Sequence, residues 1–283
     1  MNELQAKLVD MVDTMPAFPS SVTKILQLTS DINSSPKALI EVIDHDPVMT
    51  IKILILVNSA YFGLSKKIIS IKQGVVILGI NTLKNLAVTI AAMGMLPQNS
   101  NSKFDSNQFL LHSLGTATIA RLLGQKLQVS AKEASDYFVA GLLHDFGKVV
   151  LVQFMPEEME KALTRAANEG IPLFQTEAEE IRSDHTELGG MLAEKWQLPE
   201  DLVISLREHH KPITTGDTAK MRDCVIAANS IIKCLEFGHS GNPLIARLPD
   251  VVIERFGMEL DELLESLGDV SEDLEKTRIF ATL

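Results

Sequence analysis

The stretch 44-DHDPVMTIKILILVNSAYFG-63 decides the fold. Asp46 is suited to accept a hydrogen bond from the free amides at a helix start. Pro47 suits the first helical position, where its fixed φ and missing N–H cost nothing. From Val48 to Ala60 no glycine or proline interrupts the apolar run, and a helix is predicted there. Gly63 then marks a loop over Tyr61 to Lys67. Working outward, Ser35-Pro36 repeats the device and opens the preceding helix. In Ser20 to Ser30, the residues Val22, Ile25, Leu26 and Leu28 recur near helical spacing. Two further helices follow the loop, with Gly79 as the break between them. The polar, irregular 97-PQNSNSKFDS-106 reads as a linker and a lobe boundary.

Beyond that linker the pattern stays helical: Asn107–Leu127, Ala131–Phe154, Pro156–Asn168, Leu173–Trp196, Pro199–His209 and Thr218–Phe237. On the first of these, Ser113, Ala117, Ala120 and Gly124 form a stripe of small residues that lets another helix approach closely. The tail from Pro243 is acidic, with a helical pattern near Leu260 to Leu267. No strand pattern exceeds a few residues, and there is no internal repeat. The expected fold is all-α, with two packed helical lobes over residues 1–100 and 101–240 and a helical extension over 241–283.

Composition narrows the function. The 283 residues are 46% hydrophobic and 22% charged, which suits a globular protein with a sizeable core. The net charge of −11 repels phosphate backbones and anionic lipid, so neither nucleic acid nor a membrane is an expected partner. Lys66-Lys67 is too short to count as a basic patch. The two cysteines, Cys224 and Cys234, fall in one predicted helix and point in different directions, so they are read as packing residues. The N-terminus MNELQAKLVD lacks the apolar stretch of a signal peptide. A cytoplasmic location is therefore expected.

Five of the seven histidines lie between residues 112 and 210. His144-Asp145 stands in 141-GLLHDFGK-148, at the end of an apolar helix. Imidazole and carboxylate together suit a divalent transition metal, and an aspartate can bridge two ions. His112 lies upstream, His185 downstream, and His209-His210 further on. A lone helical histidine is usually a surface or satisfied core residue, and His45 and His239 are read so. Six such groups on core-forming helices of one lobe are harder to explain by packing alone, and they are expected to converge on one pocket.

These segments carry a resemblance. HDFGK resembles the signature of the HD superfamily of metal-dependent phosphohydrolases, and His112 in FLLHSLGTA matches that superfamily's first histidine. The segment 184-DHTELGGMLAEKWQLP-199 and the pair His209-His210 are similar to the stretches that follow the HD pair in HD-GYP cyclic-dinucleotide phosphodiesterases. Lys148 matches the lysine of the HDxGK form. There it would assist a leaving group or hold phosphate beside Asp145, the two forming the catalytic pair. The stretch 44–63, followed by 71-IKQGVVILGINTLKNL-86, is similar to the HDOD family, the HD-related output domain of bacterial signalling proteins. That resemblance covers roughly Met15 to Leu235. It implies a second lobe built as an HD-like helical bundle, and a regulatory role.

The departures from the hydrolase pattern matter as much. Asn229 stands where HD enzymes end their metal set with an aspartate. Asp223 lies six residues earlier on another helical face, and the Gly-Tyr-Pro triplet of the HD-GYP loop is absent. Two readings follow. In the preferred one the chain is a signalling module that acts in trans on partner signalling proteins, with a metal or a nucleotide as a structural or sensory element. In the alternative it is a phosphohydrolase acting on a nucleotide or cyclic dinucleotide. In both, His112, His144, Asp145, His185, His209 and His210 are the expected ligands of one or two divalent ions, iron, manganese, zinc or nickel.

Overall fold

The computed structural model describes residues 3–30, 34–59, 62–97, 104–242 and 244–282. It is all-helical, with no strand among the described residues. In chain order the α-helices are α1 (Glu3–Thr14), α2 (Ser20–Ser30), α3 (Pro36–Asp44), α4 (Pro47–Val57), α5 (Ile71–Leu78), α6 (Ile80–Met95), α7 (Ser106–Lys126), α8 (Ala131–Leu143) and α9 (Gly147–Phe154). They continue with α10 (Pro156–Glu169), α11 (Leu173–Ile181), α12 (His185–Lys195), α13 (Glu200–Glu208), α14 (Lys220–Cys234), α15 (Asp250–Phe256), α16 (Leu260–Glu265) and α17 (Ser271–Thr277). The sequence signals act as read. Asp46 caps α4 by accepting from the Met49 amide at 3.0 Å, and Ser35 caps α3 from the Ala38 amide at 3.3 Å. Gly79, at φ 82°, separates α5 from α6. Most of the expected linker at 97–106, namely residues 98–103, lies outside the described residues, as does Pro243.

The chain divides into two compact units, with a boundary at Met95/Leu96 beside the expected linker and with both ends of the chain assigned otherwise than expected. The smaller is Ala17–Met95 with Glu275–Leu283; the larger is Met1–Pro16 with Leu96–Leu274. Two sets of contacts account for the ends. Lys195, at the end of α12, donates to the carbonyls of Val12, Asp13 and Met15, each at 2.8 Å, which fastens the end of α1 to the larger unit. The stretch 241–274 is no separate extension either, because α15 and α16 pack against α14.

In the smaller unit α2 packs on α3 and α6, and α4 packs on α3, α5 and α6, around Val22, Ile25, Leu39, Ile43, Ile53 and Leu83. In the larger unit α7 is the axis, buried along most of its length between α8 and α14. The small-residue stripe serves α8. A Cβ on Gly124 would meet the Tyr137 ring at 2.8 Å, and one on Gly141 would meet Ala117 Cα at 2.6 Å. The segment Ala131–Phe154 is apolar and long enough on composition to cross a bilayer, but 89% of its qualifying 18-residue stretch is buried inside the fold. Cys224 and Cys234 are both free thiols on α14.

Candidate metal centre

Two expected helices are broken, and the breaks build the site. Ala131–Phe154 stops at Leu143, turns through His144-Asp145-Phe146 and restarts as α9. Leu173–Trp196 stops at Ile181, passes through Arg182 in the left-handed region (φ 62°), and restarts as α12. There Asp184 accepts from the amides of Thr186 and Glu187 at 2.9 and 3.2 Å, and His185 becomes the first helical residue. The two restarts touch. A Cβ on Gly147 would strike the His185 carbonyl oxygen, and it would sit 2.8 Å from the Gly189 amide. Glycine in HDFGK therefore lets α9 lie backbone to backbone on α12, which sets Asp145 opposite His185. His112 comes from the middle of α7, and His209-His210 from the end of α13.

All six expected residues come together. Asp145 is central and shared. Its Oδ1 lies 3.3 Å from His185 Nε2 and 3.5 Å from His209 Nε2. Its Oδ2 lies 3.4 Å from His144 Nε2, 3.8 Å from His112 Nε2 and 2.7 Å from Lys148 Nζ. The donor atoms form two nests that meet at Asp145, one with His185, His209 and His210 and one with His112 and His144, each spanning no more than 4.8 Å. Ligands about 2.1 Å from one ion stand about 3.0–4.2 Å from each other, the spacing seen here. His112, His144, Asp145 and His185 are 0–1% exposed. His210 is half-buried, its ring stacked on Phe174 at 4.7 Å. His45 and His239 lie exposed and apart, the first on the Glu41 carbonyl and the second on the Gly241 amide.

The protons are placed by what lies behind each ring. His144 Nδ1 donates to the Gly141 carbonyl at 2.8 Å, and His209 Nδ1 to that of Leu206 at 3.0 Å. His185 Nδ1 donates to Glu177 Oε2 at 2.5 Å. With Nδ1 engaged in this way, each ring turns its Nε2 inward. Burial holds His112 and His209 neutral, the latter pushed down to about 4. Burial opposes ionisation of Asp145, but His144 and Lys148 outweigh it and hold that carboxyl well below the usual range. Burial also opposes a charge on His185, yet the Glu177 and Asp145 carboxylates raise it to about 9. The Nε2 atoms of His185 and His209 face each other at 3.3 Å, so a cation, a proton or a metal, belongs between them. Among the described residues no hydrogen-bond partner is found for His112 Nε2, His144 Nε2, Asp145 Oδ1 or Asn229 Oδ1, all buried. Each such atom costs about 1–3 kcal/mol. The donor set thus fits a divalent transition ion, which takes nitrogen and oxygen together.

Residues outside the predicted set complete the surroundings. Glu177, fully buried on α11, also accepts from the His185 amide at 3.0 Å. Lys148 uses all three ammonium donors: on Asp145 Oδ2, on the Ser240 carbonyl at 3.0 Å and on Ser240 Oγ at 3.3 Å. To hold a phosphate, Lys148 would have to give up one of these bonds. Lys233 on α14 lies near enough that burial and the Lys148 charge push it down to about 8. Asn229 stands one turn before Lys233 and so shares that helical face. Asp223 faces elsewhere, held by Arg222 (2.5 Å) and Arg255. Sequence offered no signal for Glu177, Lys233 or Ser240.

Fold and site together define an all-helical bundle closed around a histidine–aspartate cluster. The HDOD domain profile matches residues 15–212, and the chain belongs to that family. A Treponema pallidum protein described as uncharacterized is 26% identical over 268 residues, 93% of this chain and 50% of that protein. The chain thus spans half or less of the length of the curated relatives it matches. The crystal structure of an HDOD domain protein of unknown function from Geobacter sulfurreducens superposes with TM-score 0.81 at 23% identity, covering 98% of this chain and 96% of that one. A Shewanella amazonensis protein, named as a proposed phosphohydrolase, gives 0.75 at 24% identity, covering 98% of both chains. At these identities the likeness is one of fold.

Proposed function

We propose that this chain is a regulatory module that holds a divalent transition metal in its larger unit and acts through contacts with partner signalling proteins. The observation that carries the reading is the closed convergence of buried imidazole Nε2 atoms on Asp145. Asp145, His185, His209 and His210 would hold the first ion. The nest of His112 and His144 shares Asp145 Oδ2 with the Lys148 ammonium at 2.7 Å, and that positive charge disfavours a second ion there. A bound ion supplies positive charge and Lewis acidity. The residues do the rest. Glu177 fixes the His185 tautomer, Lys148 ties Asp145 to the loop at Ser240, and burial excludes water. A site this closed, with Asn229 in place of a second carboxylate and no spare donor on Lys148, suits a structural or sensory ion better than turnover.

The alternative, a metal-dependent phosphohydrolase acting on a nucleotide or cyclic dinucleotide, rests on the same donor set. One assay separates them. Cyclic dinucleotides and a phosphomonoester are offered to the protein with added manganese or iron. The regulatory reading expects no turnover above background. Robust turnover abolished by Asp145→Asn would establish the hydrolase instead.

A further inference from the structure

The smaller unit has a second feature that the metal centre does not absorb. Val48, Ile51 and Ile55 form one stripe on α4, spaced by three and four residues, on the side opposite the buried Met49, Ile53 and Leu56. Ile69, Val76 and Ile77 belong to α5 and its approach, and α5 packs on α4. The Asn58 side chain pins the approach to the end of α4 by pairing with both the amide and the carbonyl of Ile68, at 2.8 Å each. All six aliphatic side chains are 52–78% exposed. Single exposed aliphatics need no explanation, but six on two packed helices do.

The charge around them is equally uneven. Residues 47–95 contain five lysines and no acidic residue, so this segment carries +5 in a chain that carries −11. Lys66, Lys67 and Lys72 are exposed and Lys52 is half-exposed, in the same two helices and the loop between them. The Lys66-Lys67 pair is short as sequence; the fold adds the other two.

We infer that this face of α4 and α5 is the docking surface for an acidic amphipathic segment of a partner protein, an apolar stripe flanked by Asp or Glu. The charge selects that occupant. A second copy paired through the same face would set lysine rim against lysine rim. A lipid surface is disfavoured because the large apolar residues exposed here, among the described residues, are Val and Ile, and because the chain as a whole is anionic. This deepens the regulatory reading by naming the kind of partner. Metal content is measured on the same preparations, so failure here is distinguishable from failure of the metal centre.

The probe is a labelled helical peptide with a Leu/Ile stripe flanked by glutamates, beside a twin with the same stripe flanked by lysines. Fluorescence anisotropy reads binding to the full chain. The acidic peptide should bind about tenfold or more tighter than its twin, and more weakly as salt rises. Ile51→Asp or Val76→Asp should weaken it about tenfold or more, and so should Lys66→Glu combined with Lys67→Glu. All these positions are on the surface, so thermal unfolding should match the wild type. Equal binding of the two peptides, or no loss in the variants, overturns the proposal. Two other results also overturn it: binding to phosphatidylcholine–phosphatidylserine vesicles that Ile51→Asp abolishes, which assigns the face to lipid, and dimerisation in sedimentation velocity that Ile51→Asp abolishes, which assigns it to a second copy.

Discussion

Replacing Glu177 with glutamine probes how the metal centre is held. Glu177 belongs to neither donor nest and acts through His185. It accepts from His185 Nδ1 at 2.5 Å and from the His185 amide at 3.0 Å, with both residues fully buried. Glutamine has the same shape, and its carbonyl can take over these bonds, so the His185 ring should keep its place. What disappears is the negative charge that makes the imidazole a stronger donor through Nε2. Losing such an outer carboxylate typically costs about 10–100-fold in metal affinity, or ~1.4–2.7 kcal/mol. A separate, structural cost arises because the buried Glu177–His185 bonds lose their charge assistance. That costs about 1 kcal/mol of stability. The assay is competition with a chromophoric chelator for zinc or manganese, run with thermal unfolding of the metal-free protein. The expected result is weaker binding by about 10–100-fold with a lowered midpoint. A lowered midpoint with unchanged affinity would make Glu177 a packing residue alone.

Three further substitutions follow from the geometry. Gly147→Ala sets a methyl group against the His185 carbonyl, backbone on backbone with no side chain to swing away; it should cost at least about 2 kcal/mol, and an unchanged unfolding midpoint would contradict the close seating of α9 on α12. Asp223→Ala takes a carboxylate from Arg255 and from buried Arg222, which keeps Glu208 as its remaining partner, a loss of about 1–3 kcal/mol, while metal content stays unchanged; loss of metal would place Asp223 in the centre after all. Asn229→Asp adds a charge on the helical face shared with Lys233, and should raise divalent-metal affinity about tenfold by chelator competition. Equal affinity in both proteins would put Asn229 outside the centre.

Much of this molecule is legible in its sequence wherever the cause is local. Asp46-Pro47 and Ser35-Pro36 start helices because a cap and a fixed φ act within four residues. The cluster was legible by residue type, since histidine and aspartate on core-forming helices are expensive unless they converge. The breaks at 144–146 and 182–184 were not legible. The apolar pattern runs straight across both, and the contact that fixes them joins Gly147 to His185, distant in the chain. Glu177 was hidden for a similar reason. Nothing in the sequence separates it from Glu179 and Glu180, which pair with Arg165 while Glu177 turns inward to His185. The place of Met1–Pro16 in the larger unit escaped because Lys195 binds carbonyls some 180 residues away, a link no periodicity encodes.

The most direct test of the account is elemental analysis of the protein purified without chelators and without a metal-binding tag. About one divalent transition metal per chain is expected in wild type and in Asp223→Ala, and little in Asp145→Asn or His185→Ala. The variants are first checked by circular dichroism for retained helix. Wild-type protein that carries no metal above trace, and takes up none on dialysis against manganese, iron, zinc or nickel, would contradict the metal-centre reading.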